Sequence, residues 1–126
     1  MERVTGIGGI FFKASDPRAL AEWYRTHLGL PVEPWGGAAI RWGTEENPVG
    51  TTIWSPHPTD TTHFEPSRAS FMVNFRVADL DGLLAALRAE GCNVLDQVEN
   101  SEYGKFGWVL DPEGNKVELW QPPLGQ

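Results

Sequence analysis

A chain of 126 residues, 40% of them hydrophobic, is the size of one compact domain or of two small modules sharing a core. Its net charge of -7 sets it against nucleic acid and anionic membrane surfaces, which an acidic face cannot neutralise, and leaves a small molecule or another protein as the fitting partner. The opening MERVTG has no cationic stretch running into an apolar core, and no run of about 18 apolar residues occurs, so the expected setting is the cytoplasm.

Residues 8–14, GGIFFKA, alternate as a strand does. Asp16 and Pro17 then form an N-cap and first-turn pair that opens a helix. Leu20, Trp23, Tyr24, His27 and Leu28 fall at helical spacing, and Gly29 ends it. Three short strands fit after it, around LPVEPW, AAIRWG and TTIWSP, although EENPVG and SPHPTDTTHFEPSR are dense in turn-formers. Residues 56–67 read as a connector. A second alternating run, FMVNFRV at 71–77, leads to a helix capped by Asp79, striped by Leu80, Leu83, Leu84 and Leu87, and ended by Gly91. The single cysteine, Cys92, has no internal disulfide partner and reads as a structural thiol. NVLDQV, KFGWVL and KVELWQ follow as strands. The last two are joined at Asp111-Pro112-Glu113-Gly114-Asn115, where Pro presets φ and Gly accepts a positive φ.

The two helix caps are 79 − 16 = 63 residues apart, and the same shift carries Leu20 to Leu83 and Phe12 to Phe75. This predicts a duplicated unit, at about 4–64 and 68–122. Within each unit, alternation sorts the strand residues onto two faces. Ile10, Phe12 and Ala14, with Phe71, Val73, Phe75 and Val77, form an apolar face to pack under helices. Opposite them fall Phe11 and Lys13, Met72, Asn74 and Arg76, and, on the last strand, Glu118 and Trp120. Such a mixed face either lines a ligand cavity or is a partly wetted outer surface.

The sequences DPRALAEWYRTHLGL at 16–30, VADLDGLLAALRAEG at 77–91 and FGWVLDPEGNKVELW at 106–120 resemble the vicinal oxygen chelate superfamily, which includes glyoxalase I, bleomycin-resistance proteins and extradiol dioxygenases. The resemblance covers nearly the whole chain. It implies an α+β fold of two tandem βαβββ modules, whose eight strands make an open, barrel-like mixed sheet with the helices outside. In metal-dependent relatives, the first and last strands of each module supply the ligands. Carried onto this chain, Glu118 matches the last-strand position. Gly9 and Met72 stand at the first-strand positions, and Thr52, Ile53, Trp54 and Ser55 offer no carboxylate. Glycine has no ligating atom and a thioether suits hard ions poorly, so neither metal nor other cofactor is expected. His27 belongs to a helix end, whereas His57 and His63 lie in the connector at no ligand spacing, and either would be needed to rescue a metal site.

No Walker loop, helix-opening GxGxxG, GxSxG, HExxH or CxxC occurs. Phe11, Lys13, Trp54, Met72, Asn74, Arg76, Glu118 and Trp120 are therefore the candidate ligand-binding set, and Glu118 is the candidate acid–base residue. Lys13 and Arg76 are its expected ion partners. Two functions stay open: a homodimer binding a small organic molecule without chemistry, as resistance-type relatives do, or a glyoxalase-like lyase, isomerase or dioxygenase with an unusual ligand set. If Glu118 only pairs with a cation, it binds nothing.

Overall fold

The computed structural model describes residues 14–38, 40, 42, 43, 45 and 60–124. Helix α1 runs Pro17–Leu28, strand β1 Val73–Arg76, helix α2 Leu80–Ala89, and strands β2, β3 and β4 Asn93–Ser101, Gly104–Leu110 and Lys116–Gln121. Both helices start where the caps predict. The Asp16 side chain accepts from Ala19 N–H and that of Asp79 from Gly82 N–H, each at 3.1 Å. Each satisfies one of the N–H groups that a first helical turn leaves without an intrahelical partner. Gly29 closes α1 in the left-handed region at φ 66°, and Gly91 follows the α2 cap at φ 80°.

The four strands form one mixed sheet in the order β1-β4-β3-β2, with β1 parallel to β4 and the other pairs antiparallel. This is the βαβββ order expected of the second unit. Of the first-unit strands, the one expected at 8–14 lies outside the described residues except for Ala14, which is not in a strand, and the one expected at 51–56 lies wholly outside them. At 30–43, the described residues hold an isolated antiparallel bridge, Val32 to Ala38. Among the described residues the sheet is thus four-stranded and open, and the eight-stranded arrangement expected of the whole chain is not seen in them. Strand β2 also outruns its expected end at Val98: it continues to Ser101 and turns through Glu102 and Tyr103 into Gly104, which pairs with Ser101. Its last residues are polar, as an exposed edge strand allows.

The core lies between the sheet and both helices. Leu20 and Tyr24 of α1 join Leu80, Leu84 and Leu87 of α2 over Val109, Val117 and Leu119, with Phe75 packed beside them. Gly107 lets α2 sit low on β3, because a Cβ there would stand 2.9 Å from Leu84 Cδ1. At the far end of the sheet, Asp111 organises the β3–β4 turn. Its carboxylate accepts from the Glu113 and Asn115 backbone N–H groups, from the Asn115 side chain and from the Tyr24 hydroxyl at 2.8 Å. The Ser15 N–H donates to Glu113 Oε1 beside it. Burial, reinforced by the neighbouring Asp111 carboxylate, pushes the Tyr24 phenol well above its ordinary range. His27 Nδ1 meets Glu90 Oε1 at 3.1 Å, which joins the last turn of α1 to the cap of α2.

Candidate functional site

Sending Val117 and Leu119 to the helices sends Lys116, Glu118 and Trp120 to the opposite face of the sheet. Strand register then fixes their neighbours: Glu118 stands opposite Trp108 on β3 and Asn74 on β1, and Trp120 opposite Phe106 and Arg76. The face predicted from alternation is therefore assembled on β1, β3 and β4.

Glu118 sits at its centre with its side chain 12% exposed. Asn74 Nδ2 donates to Oε2 at 2.7 Å and the Trp108 indole N–H donates to Oε1 at 3.1 Å. The third neighbour arrives from the connector: His63 Nε2 lies 3.3 Å from Oε1, with its ring edge-on to Trp108. The guanidinium of Arg76, one of its two expected ion partners, lies 5.2 Å and 5.5 Å from the ring centres of Trp120 and Trp42, and burial lowers its pKa. The other, Lys13, falls outside the described residues, as do Phe11, Trp54 and His57. Met72 is half-buried just before β1. Trp120 is buried within its own sheet, stacked on Phe106, with its indole N–H given to the Tyr103 carbonyl at 2.9 Å.

Lys116 is a member of this face that alternation placed there but that was not picked out as functional. It is buried, its ammonium donates to the His63 carbonyl at 2.6 Å, and it lies 5.1 Å from the centre of the Trp108 ring. Burial lowers its pKa, against the opposing fields of Glu118, Glu99 and Glu65. The lysine and the glutamate, two residues apart on β4, thus hold the two ends of His63. The ammonium takes its carbonyl, and the carboxylate lies beside its imidazole.

A family profile described as Glyoxalase-like domain matches residues 9–120. The chain belongs to the glyoxalase-like family. That family sits within the vicinal oxygen chelate superfamily that the sequence resembles. Three solved structures share the fold of this glyoxalase-like chain over most of its length. TnmS3, an antibiotic binding protein from Streptomyces sp. CB03234, is 23% identical with a TM-score of 0.59, covering 98% of this chain and 100% of its own. The oxidase ChaP-H2 is 19% identical with a TM-score of 0.54, covering 90% of each chain. TioX from Micromonospora sp. ML1 is 16% identical with a TM-score of 0.50, covering 90% of this chain and 93% of its own. This chain spans 47% and 40% of the lengths of two other matched structures. A search of curated proteins returns no match.

The metal-dependent branch of the superfamily is the point at which this member's donors can be compared with a requirement. A catalytic centre of that kind usually takes about three protein ligands. Among the described residues, no group of three or more His, Cys, Asp or Glu is placed to hold an ion. Glu118 and His63 are two donors, and both carboxylate oxygens already accept from Asn74 and Trp108. Among the described residues, these two donors fall short of such a ligand set.

Proposed function

We propose that this glyoxalase-like protein binds a small organic molecule against the face of its sheet opposite α1 and α2, around Glu118, by hydrogen bonds and ring contacts and without a resident metal. The observation that carries the reading is the environment of Glu118. A carboxylate is nearly withdrawn from water on a face where water is the cheaper solvent, and it is held by two neutral donors among tryptophans. Burying a carboxylate costs stability unless donors meet it, and Asn74 and Trp108 are those donors. Exposed Asn74 and partly exposed Trp42 and His63 give access to it. The likeness to TnmS3, an antibiotic binding protein that covers 98% of this chain, agrees with a small-molecule ligand. The working unit is taken to be a cytoplasmic homodimer.

The test is a screen of small aromatic fragments against protein labelled at its indole nitrogens. Fragments that bind here move the Trp108 indole N–H resonance, because that proton rests on Glu118. A library that moves the exposed Trp35 but never Trp108 would overturn the proposal. A second reading, catalysis, draws on one observation: the His63 imidazole beside the Glu118 carboxylate is a pair able to shuttle a proton. Turnover of a bound fragment that is lost in His63→Gln would favour it over binding alone.

A further inference from the structure

The hydrogen-bonding polarity of this face names the kind of group it accepts, an inference that rests on the small-molecule reading above. Glu118 and the Trp108 indole fix each other's roles, because an indole only donates and a carboxylate only accepts. Asn74 has no freedom either. Its Nδ2 faces Glu118 Oε2 at 2.7 Å, so its carbonyl oxygen must point the other way. Asn74 is exposed, and that oxygen is therefore open to an incoming molecule. Of the neighbouring donors, the Trp108 indole is committed to Glu118, the Trp120 indole to Tyr103 and one N–H of the Lys116 ammonium to the His63 carbonyl, while the Arg76 guanidinium lies over the Trp120 and Trp42 rings. What the Asn74–Glu118 pair has left to offer is acceptor capacity.

We infer that Asn74 is a specificity-determining residue that selects ligands bearing a hydrogen-bond donor, a hydroxyl or an amine N–H, set on a ring that can lie against the exposed Trp42 beside Arg76. The polarity is relayed from Trp108 through Glu118 to the Asn74 amide, and this makes it reversible. With Glu118→Gln, the new side chain must turn its carbonyl to the Trp108 donor and its NH2 towards Asn74. Asn74 then flips to receive that NH2 and presents its own NH2 outward. The same surface then selects an acceptor.

The experiment titrates the full chain with 4-ethylphenol, 2-phenylethylamine and 4-ethylanisole, following the Trp108 indole resonance. In the wild type, the phenol or the amine binds about tenfold more tightly than the anisole, the effect of one hydrogen bond gained or forfeited. The stronger of the two identifies the donor as neutral or cationic. In Glu118→Gln the ranking inverts in favour of the anisole. In Asn74→Leu, an exposed site whose change leaves the core intact, the difference disappears. Equal affinity of all three probes for the wild type, with Trp108 still moving, overturns the donor preference and leaves the site standing. If no probe moves Trp108, the site itself falls and the inference with it.

Discussion

Replacing Tyr24 by Phe removes one oxygen from a buried bond and nothing else. Asp111 keeps three other donors, the Glu113 and Asn115 backbone N–H groups and the Asn115 side chain, so no buried polar atom is orphaned by the change. The cost is then the net value of one hydrogen bond to a carboxylate, about 2 kcal/mol. Unfolding entropy for a domain of this length is roughly 0.26 kcal/mol/K, which turns that loss into a fall in Tm of about 8 °C. The sign with pH follows from the raised phenol. Its folded-state pKa lies above the ordinary value of 10.0, so its contribution is complete below that value and is lost as pH climbs beyond it. Thermal melts of both proteins between pH 7 and 11 should therefore show a gap that is constant up to about pH 10 and narrows above it. An unchanged Tm at pH 7, or a gap that persists undiminished at pH 11, would refute the assignment of this bond as a buried, charge-assisted one.

Gly107→Ala puts a methyl group into the contact with Leu84 and should destabilise by about 1–3 kcal/mol, with Leu84→Val in the same chain restoring part of the loss in denaturant titrations. Metal analysis of protein purified without chelator or metal-affinity steps should find well under one transition-metal ion per chain, and a ratio near one would return the metal-dependent alternative. Light scattering over a dilution series should give the mass of a dimer, and a monomer mass at high concentration would count against the homodimer.

Local chemistry made both helices and the final hairpin legible in the sequence, whereas tertiary contacts hid much of the site. Asp16-Pro17 and Asp79 mark helix starts through bonds made within three residues, and a period of two places Asn74, Arg76, Lys116, Glu118 and Trp120 on one face without knowledge of the fold. Alternation cannot report which strands adjoin, so the meeting of Glu118 with Trp108 and Asn74 needed the register. Nothing local marks His63, which by sequence is a connector histidine at no ligand spacing. Its place beside Glu118 depends on the path by which residues 60–72 return to β1, and Lys116, 53 residues away, fixes that path by binding its carbonyl. Trp120 carried the signal of a cavity aromatic, a large apolar ring on the mixed face, but a stack on Phe106 and a bond to Tyr103 commit it to the interior of the sheet. The Glu102–Tyr103 turn contains neither Pro nor Asn to mark it, and only Gly104 after it, at φ 112°, takes the unusual backbone conformation.

The bonds around Asp111 imply an order of assembly. Those to Glu113 and Asn115 span two to four residues and can form as soon as the β3–β4 turn closes on itself. The bonds from Tyr24 and Ser15 to the same turn span 87 and 98 residues, so they wait on the entropy of closing most of the chain into a loop. The turn is thus a local nucleus that the first helix locks late. Tyr24→Phe should accordingly speed unfolding while leaving the refolding rate nearly unchanged, the signature of a contact absent from the transition state.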